Sequence, residues 1–554
     1  MTFLPVVGRE LRVASRRRHT YWTRFLAGLA GVALMTWIWF GLANEAEHAR
    51  GQLLFRFMAG LALAYCLFSG VPITSDCVSQ EKREGTLGLL FLTDLRGYDV
   101  VLGKLAATSL NAIYRLMAVF PLLTVPLLLG GLRLVEVARM AAVLANTLFF
   151  SLAAGMLASV LSKEERRATA AAFFLVVGFT AGPAILGWLV WDKSSPFPLG
   201  WLLTSGIYPA VLAEEGSYKL HPTHFWIALA STQVVGWIFL IVASLLVTHV
   251  WQDRPGAGGE APWGEWRFAH GPSHLPWRRR LLEVNPTWWL VARDRLKPVV
   301  VYIVLGLLAA GWLSFYARFG RGWLDPTLLF LGGYGVHTII KLWLASEASR
   351  MFFNDRRTGA LELILSTPLT VDEILAGHLL GLQRQFTGPV RLVLLADIAM
   401  LVLGIRESPY DNSVEWLGLW AGLIAMFLVD LYALAWLGLW LSLCASSPLR
   451  AWRGVVARVL LLPWVLFLFG LLPLSMARTR AADPNEWSLL GAGLILSLMI
   501  SAAFAVWARA NLEQKFRTVV AEQFGASNTA LESDRPGSPT KEAAGVAFLP
   551  ATDQ

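Results

Sequence analysis

Four charged side chains lie inside strongly apolar segments. Placing a charge there costs free energy, so each of these residues is a candidate functional residue. They are Arg115, Arg391, Asp397 and Asp430. Two interpretations are open for them: internal ion pairs that fix helix packing, or side chains on the pathway of a substrate or a proton. Asp430, in the middle of FLVDLYALAW, is the best single candidate for the second.

Other polar side chains extend this pattern in the second half of the chain. Arg384, Arg391 and Asp397 follow one another in one apolar segment and predict a polar interior, and Lys341 and Glu347 predict an ion pair near a segment end. The three cysteines are scattered, with no metal-ligand spacing, so we expect no metal site.

A charged segment, EKREGTLGLLFLTDL at Glu81 to Leu95, separates two long apolar runs. Its charges precede Gly85, and Leu87, Leu90 and Phe91 then follow at helical spacing. The pattern predicts a short amphipathic helix along the membrane surface, reached by a sharp turn at the glycine. Such a segment could be an ordinary interfacial anchor or a docking surface, and chemistry alone does not choose between them.

The chain has no ATP site of its own. LGKL at Leu102 to Leu105 resembles the end of a phosphate-binding loop. However, Tyr98 stands where that loop needs a glycine, and Leu105 stands where it needs Ser or Thr. No cytoplasmic stretch is long enough for a nucleotide-binding domain. We therefore expect that the chain is not an enzyme and contains no cofactor.

The composition is that of a polytopic membrane protein, with 56% hydrophobic and 15% charged residues and a mean hydropathy of +0.55. Apolar segments of membrane-crossing length recur along the chain and predict an all-α integral membrane protein with about twelve transmembrane helices. The predicted spans are residues 22–43, 52–75, 105–130, 135–161, 169–191, 225–250, 298–317, 326–348, 379–404, 414–445, 454–477 and 487–508.

An even number of spans places both termini on one side of the membrane. Lys and Arg are concentrated in the segments that share a side with the N-terminus, so both termini are predicted to be cytoplasmic. This topology accounts for the net charge of +9. The lipid bilayer is then the expected partner of the apolar surface, and no nucleic acid partner is implied.

The charged segment occurs twice. Residues 81–104 align without a gap with residues 355–378, DRRTGALELILSTPLTVDEILAGH, and each copy follows the second span of its half. Identical pairs are Arg83 and Arg357, Gly85 and Gly359, Leu87 and Leu361, Leu89 and Leu363, Thr93 and Thr367, Leu95 and Leu369, and Gly103 and Gly377.

Because six spans follow each amphipathic lead-in, the halves are predicted to be parallel six-helix repeats. The predicted organisation is a first transmembrane domain at 1–250, a cytoplasmic linker at 251–284, a second transmembrane domain at 285–510, and a cytoplasmic tail at 511–554. The tail begins as an amphipathic helix and is otherwise of disordered composition. The external loop at 192–224 has only a short counterpart in the second half and is the main asymmetry between the halves.

In these two segments the chain resembles the permease subunits of ABC-2 type transporters. EKREGTLGLLFLTDL with VLGK, and RRTGALELILSTPL, are similar to the coupling segment of that family. The resemblance implies that each half is one transmembrane domain and that these segments contact cytoplasmic ABC ATPase subunits. The residues so implied are Glu81, Arg83, Gly85, Thr86, Leu87, Thr93, Arg357, Gly359, Leu361, Glu362, Thr367 and Pro368.

Three of the differences between the copies bear on docking, so the two docking surfaces need not be equivalent. Gly88 aligns with Glu362, Asp94 with Pro368, and Lys104 with His378. In the second copy TVDE, Thr370 to Glu373, also predicts a capping box that begins the next helix.

The resemblance implies an export permease of the bacterial plasma membrane, with ATP and Mg held by separate ATPase subunits and an unidentified substrate. One alternative is a secondary active transporter with parallel six-helix repeats, which would need a G-x-x-x-D-R-x-G-R-R loop that EKREGTLG does not match. Another is a membrane enzyme, which would need acids or histidines clustered at one membrane face, whereas the nine histidines are dispersed.

Overall fold

Long apolar helices make up almost all of the computed structural model. The structure describes residues 47–92, 95–128, 132–190, 199–250, 275–292, 296–407, 413–471 and 486–533, with Gly130 and isolated positions between 28 and 39. Within these ranges every regular element is a helix. The chain divides into two compact units, Met1–Ala257 and Gly258–Gln554.

Unit 1 contains nine described helices and one 3-10 turn. The helices are α1 (Glu47–Thr74), α2 (Cys77–Glu84), α3 (Leu87–Phe91), α4 (Gly97–Leu128), α5 (Leu134–Leu161), α6 (Glu165–Val190), α7 (Tyr208–Leu212), α8 (Glu215–Leu220) and α9 (Pro222–Val250), with the 3-10 turn at Leu199–Thr204. Its buried core forms where α1, α4, α5 and α9 pack together.

Unit 2 contains eleven described helices. They are α10 (Leu275–Val284), α11 (Pro286–Ala292), α12 (Leu296–Phe319), α13 (Pro326–Ala348), α14 (Met351–Arg357), α15 (Ala360–Leu365), α16 (Val371–Glu407), α17 (Ser413–Cys444), α18 (Pro448–Val456), α19 (Leu462–Leu466) and α20 (Glu486–Ser533). A 3-10 turn at Gly320–Leu324 precedes α13, and π-helical turns at Ala457–Leu461 and Phe467–Leu471 flank α19.

Eleven helical segments of the described chain are long and apolar enough to cross a membrane. The all-α, multi-pass membrane fold predicted from composition is therefore confirmed at that level. The first predicted span, residues 22–43, lies mostly outside the described residues. Residues 251–274 of the predicted linker also lie outside them, as do the tail residues beyond Ser533.

Several helices extend beyond the apolar runs that predicted them. The predicted spans began at residues 105 and 379, whereas α4 begins at Gly97 and α16 at Val371. The reason is that backbone hydrogen bonding continues a helix into polar sequence once its first turn is capped. Similarly, α20 runs on to Ser533, and Leu512, Phe516 and Val520 are buried at helical spacing. This confirms the predicted amphipathic start of the tail.

The two units use the same close helix crossing. A Cβ atom added to Gly155 of α5 would lie 2.1 Å from the hydroxyl oxygen of Thr74 in α1. In unit 2, a Cβ atom on Gly438 of α17 would lie 2.5 Å from the Cβ of Ala348 in α13. Small residues at these points let the helix backbones approach closely, which is how membrane helices commonly pack.

Candidate docking loops and a buried ionic cluster

The loop after the second predicted span of each half turns at a glycine. Gly85 has φ +70° and Gly359 has φ +71°, in the left-handed region that favours glycine. The Gly85 amide donates to the Lys82 carbonyl at 3.4 Å, and the Gly359 amide donates to the Arg356 carbonyl at 3.2 Å. These bonds end α2 and α14 in the same way, so the two aligned glycines form the same turn.

Each loop helix buries one leucine and exposes another. Leu87 and Leu361 are buried, with 2% and 0% of their surface accessible. Two residues later, Leu89 and Leu363 are 63% and 71% exposed. The buried leucine fixes the loop helix against its own unit, and the exposed leucine gives each unit an apolar side chain at a matched position. We call residues 81–92 and 355–368 the first and second loops.

An acid-base pair ties each loop to the helix that follows it. Lys104 Nζ lies 2.7 Å from Glu81 Oε1 in unit 1, and His378 Nε2 lies 2.9 Å from Asp355 Oδ2 in unit 2. The sequence comparison marked Lys104 and His378 only as a difference between the copies. The structure shows that both side chains reach the aligned acid, so they make the same contact with different chemistry. We call these two pairs the latches.

Both ring nitrogens of His378 have a partner. Nδ1 lies 2.8 Å from the Ile374 carbonyl oxygen of the same helix, and Nε2 lies 2.9 Å from Asp355 Oδ2. The ring is thereby held in one orientation between α16 and the second loop.

A cation in each loop caps the fourth predicted span of its half. Lys82 Nζ donates to the Val160 carbonyl at the end of α5. The Arg356 guanidinium donates to the carbonyls of Leu443 and Ala445 at the end of α17, both at 2.9 Å. Terminal carbonyls of a helix lack intrahelical partners and carry partial negative charge, so a cation stabilises them. Each loop is thereby bonded to two other helices of its own unit.

Several residues implied by the resemblance hold the first loop in place within unit 1. Arg83 Nη2 lies 2.8 Å from an Asp76 carboxylate oxygen, and Arg83 Nη1 donates to the Lys163 carbonyl at 3.1 Å. The Thr86 hydroxyl donates to the Glu81 carboxylate. Thr93 lies outside the described residues.

In the second loop the implied residues are more accessible. Arg357, Glu362, Thr367 and Pro368 are all exposed, and the Thr367 hydroxyl donates to the Ile364 carbonyl at 2.5 Å. The exposed surface of this loop therefore combines Leu363 with charged neighbours of both signs.

The predicted capping box at the start of α16 is confirmed. The Thr370 amide donates to Glu373 Oε2 at 2.7 Å, and the Glu373 amide donates to the Thr370 hydroxyl at 3.3 Å. The same turn holds the amphipathic helix α11, because Asn285 Nδ2 donates to the Glu373 carbonyl at 2.7 Å. Arg384 Nη1 donates to the Ala292 carbonyl at 2.7 Å and fastens the other end of α11 to α16.

Asp430 lies in a buried ion pair within unit 2. Lys341 Nζ lies 2.8 Å from Asp430 Oδ2, and the Ser501 hydroxyl donates to Asp430 Oδ1 at 2.5 Å. Both charged side chains are at most 2% exposed. The predicted pairing of Lys341 with Glu347 is therefore wrong, since Lys341 reaches across from α13 to α17.

Asp397 forms a second buried pair next to the first. Its Oδ2 lies 2.9 Å from His337 Nε2, with the two side chains 2% and 0% exposed. The His337 ring stacks on Phe427 at a centroid distance of 4.1 Å. The prediction that Asp397 shares a polar interior with Arg384 and Arg391 is wrong. The carboxylate turns instead toward a histidine that the sequence reasoning missed.

His337 and Lys341 are four residues apart on α13, so they lie on the same face of that helix. This spacing of two basic residues in one apolar span was the available signal for the cluster. We call His337, Lys341, Asp397 and Asp430 the ionic cluster. Of the other predicted residues, Arg391 is exposed and lines a cavity of about 520 Å³ with Arg509, and Arg115 is half-buried on α4.

The described part of residues 192–224 borders an open cavity in unit 1. It has a volume of about 590 Å³ and is lined by residues of α1, α5, α7 and α8, including Arg56, Arg133 and Glu215. Arg139 Nη2 lies 2.7 Å from Glu215 Oε2. This hydrogen bond holds the pKa of Glu215 below its usual range. The loop is thus fastened to α5 by charge.

These helices, loops and buried pairs define an all-α, multi-pass membrane protein. Neither a scan against protein-family models nor a search of curated proteins matched the sequence.

Proposed function

We propose that the chain is the permease of an ATP-driven export system of the ABC-2 type. It comprises two fused transmembrane domains, about twelve transmembrane helices arranged as two parallel six-helix repeats, and both termini in the cytoplasm. The membrane is the plasma membrane of a bacterium. Separate ATPase subunits bind ATP and Mg, and the chain itself catalyses no reaction.

The observation that carries this proposal is the matched geometry of the two loops. Gly85 and Gly359 have the same left-handed backbone, and Leu89 and Leu363 are exposed at aligned positions. A single chain that repeats one cytoplasmic surface suits two copies of the same partner, or two closely related partners. The proposed partners are two cytoplasmic ABC ATPase subunits, one on each loop.

The loop contacts give a route by which such a partner acts on the membrane helices. The first latch joins its loop to α4, and Lys82 joins the same loop to α5. The second latch and Arg356 join the second loop to α16 and α17. A displacement of either loop is therefore passed directly to two long helices of its unit. Closure of the ATPases around ATP would move these helices and change access to the substrate path.

The proposal is tested by purifying the full chain from membranes of its native host and measuring ATP hydrolysis and subunit composition. We expect an ATPase subunit with a phosphate-binding loop in stoichiometric amount, and its loss in the Leu89→Glu, Leu363→Glu double variant. The control is Leu220→Glu, because Leu220 is 75% exposed on α8, far along the chain from both loops. Transport by a preparation without any ATPase would overturn the proposal.

The ionic cluster favours one alternative, a secondary active transporter with parallel six-helix repeats. Buried acids paired with basic residues are typical of proton relays in such proteins. The two functions differ in their energy source. Transport that survives ATP depletion and stops when the proton gradient is collapsed would support the alternative.

A further inference from the structure

The ionic cluster of unit 2 has one more acid than it has permanent bases. With Lys341 as the ammonium and both Asp397 and Asp430 ionised, the cluster has a net charge of −1 when His337 is neutral. One added proton makes the cluster neutral. Since a net charge in an apolar interior is far more costly than a neutral pair, the cluster has a strong electrostatic reason to bind that proton.

The repeat shows what unit 1 has at the aligned positions. The ungapped loop alignment and the contact of Gly155 with Thr74, matched by that of Gly438 with Ala348, fix the register of the helices. In this register the ionic cluster corresponds to four positions of unit 1 without any charge. They are Leu63 for His337, Leu67 for Lys341, Leu123 for Asp397 and Thr147 for Asp430.

These unit 1 residues pack into an apolar core. Leu67, Leu123 and Thr147 are 6%, 1% and 3% exposed. The same helix crossing is therefore compatible with hydrocarbon side chains, which commonly pack as stably as a buried ion pair or better. Packing alone gives no reason for two buried ion pairs at these positions in unit 2. The charges therefore indicate a function that is specific to unit 2.

We propose that the ionic cluster is a proton-binding centre, with His337 as the group that gains and loses the proton. His337 Nε2 is bonded to Asp397, whereas His337 Nδ1 is buried and has no hydrogen-bond partner among the described residues. The proton comes from water, forms a bond to Nδ1 and gives the imidazolium. It returns to water when that bond breaks. The charge of the cluster alternates between 0 and −1.

The change of charge acts on the contacts between helices. His337 and Lys341 belong to α13, Asp397 to α16 and Asp430 to α17, so the attraction among three helices depends on the proton. Loss of the proton weakens the bond of α13 to α16 and leaves the ammonium of Lys341 to balance two carboxylates. The centre would thus link proton binding to the position of α13.

Few other charged or titratable groups face the cluster from the elements packed around it. The Tyr334 ring centroid lies 5.9 Å from Lys341 Nζ, and the Phe427 centroid lies 6.0 Å from it. The remaining charged groups on those elements are Arg321 on the 3-10 turn, Glu347 on α13, Asp372, Glu373, His378, Arg384, Arg391, Arg406 and Glu407 on α16, Glu415 on α17, Arg450 and Arg453 on α18, Arg458 on the π turn, and Glu486, Arg509, Glu513, Lys515, Arg517, Glu522 and Glu532 on α20.

The test is nuclear magnetic resonance of the full chain in lipid bilayers with ¹⁵N-labelled histidine, recorded from about pH 5 to pH 8, where histidine changes charge in proteins. The His337 signal is assigned by its absence in His337→Gln. We expect it to change from imidazolium to neutral imidazole within this range. In Asp397→Asn the imidazolium signal should be lost, because the neutral amide no longer stabilises it.

The matched control is Asp355→Asn, which removes the carboxylate beside His378 and should leave the His337 signal unchanged. A second variant, His337→Leu, Lys341→Leu, Asp397→Leu and Asp430→Thr together, copies unit 1. It should fold and show only the titrations of the other histidines. A His337 signal that keeps one charge state throughout the range, or one that titrates identically in Asp397→Asn, would overturn the proposal. Neither result depends on whether the chain works with an ATPase.

Discussion

Lys341 and Asp430 are paired at 2.8 Å with almost no exposure to solvent. Removing one member of such a pair leaves an uncompensated buried charge. We predict that Lys341→Leu lowers the free energy of unfolding by about 3–5 kcal/mol. Thermal unfolding of the purified chain, followed by the change in helical signal, measures this loss.

The double variant Lys341→Leu, Asp430→Thr is the control, because Leu67 and Thr147 stand at these positions in unit 1. It should recover most of the lost stability, since no buried charge is left unpaired. A single variant as stable as the native chain would show that the pair is open to water, contrary to its burial.

The loop glycines give a prediction about backbone conformation. No atom lies within 4 Å of a Cβ built on Gly85, so a substitution there meets backbone strain and no collision. We predict that Gly85→Ala costs about 1–2 kcal/mol of local stability, and that Gly85→Asn costs less because asparagine tolerates the left-handed region. Hydrogen exchange of residues 86–91 measures the effect. Equal effects of the two substitutions would argue against strain as the cause.

At the scale of elements, each latch should hold its loop against the helix that follows. Lys104 Nζ lies 2.7 Å from Glu81 Oε1, and His378 Nε2 lies 2.9 Å from Asp355 Oδ2. We predict that Glu81→Gln speeds amide hydrogen exchange of the first loop and that Asp355→Asn speeds exchange of the second, because each substitution removes the carboxylate of one latch.

The two substitutions are controls for each other, because each should leave the exchange of the other loop unchanged. If neither substitution changes the exchange of its own loop, the latches are not what holds the loops.

The contact of α8 with α5 should weaken in acid. The pKa of Glu215 is lowered by its bond to Arg139, so its stabilising contribution is complete above the ordinary carboxyl value of about 4.3 and is lost as the pH falls through the lower folded value. We predict faster hydrogen exchange of α8 in acid. Glu215→Gln should abolish the change, and persistence of the acid response in that variant would assign it to another group.

Sequence pattern predicted the elements better than it predicted their partners. The glycine turns, the capping box at Thr370 and the spacing of the loop leucines depend on residues close together in the chain, so local rules apply. Asp397 pairs with His337 across 60 positions of sequence. Which residue Asp397 pairs with depends on which helix faces meet, and periodicity does not specify this. The prediction that placed Asp397 with Arg391 was wrong for this reason.

The loop contacts show the same limit. The alignment predicted that both loops are alike, yet it marked Lys104 and His378 as a difference. A lysine and a histidine are dissimilar residue types, and their shared pairing with an acid is seen only in the folded structure. Distances of 2.7 and 2.9 Å to the aligned carboxylates show their equivalence. Side-chain reach over 23 residues is a property of the folded turn and could not be read from the two residue types.

At the scale of the whole molecule, one chain carries two units, each with a loop bonded to its own long helices. The ionic cluster lies in unit 2, whereas the open cavity lined by α1, α5, α7 and α8 lies in unit 1. The two units therefore share a loop geometry and differ in their polar interiors.

The central claim is that both loops contact ATPase subunits, and site-specific photocrosslinking in the native host tests it most directly. A photoreactive amino acid is placed at Leu89 or at Leu363, with Leu220, which is also well exposed, as the control position. We expect both loop positions to crosslink to a polypeptide with an ABC-type phosphate-binding loop, identified by mass spectrometry, and position 220 not to do so. Crosslinking of neither loop position to an ATPase, while the chain supports transport, would contradict it.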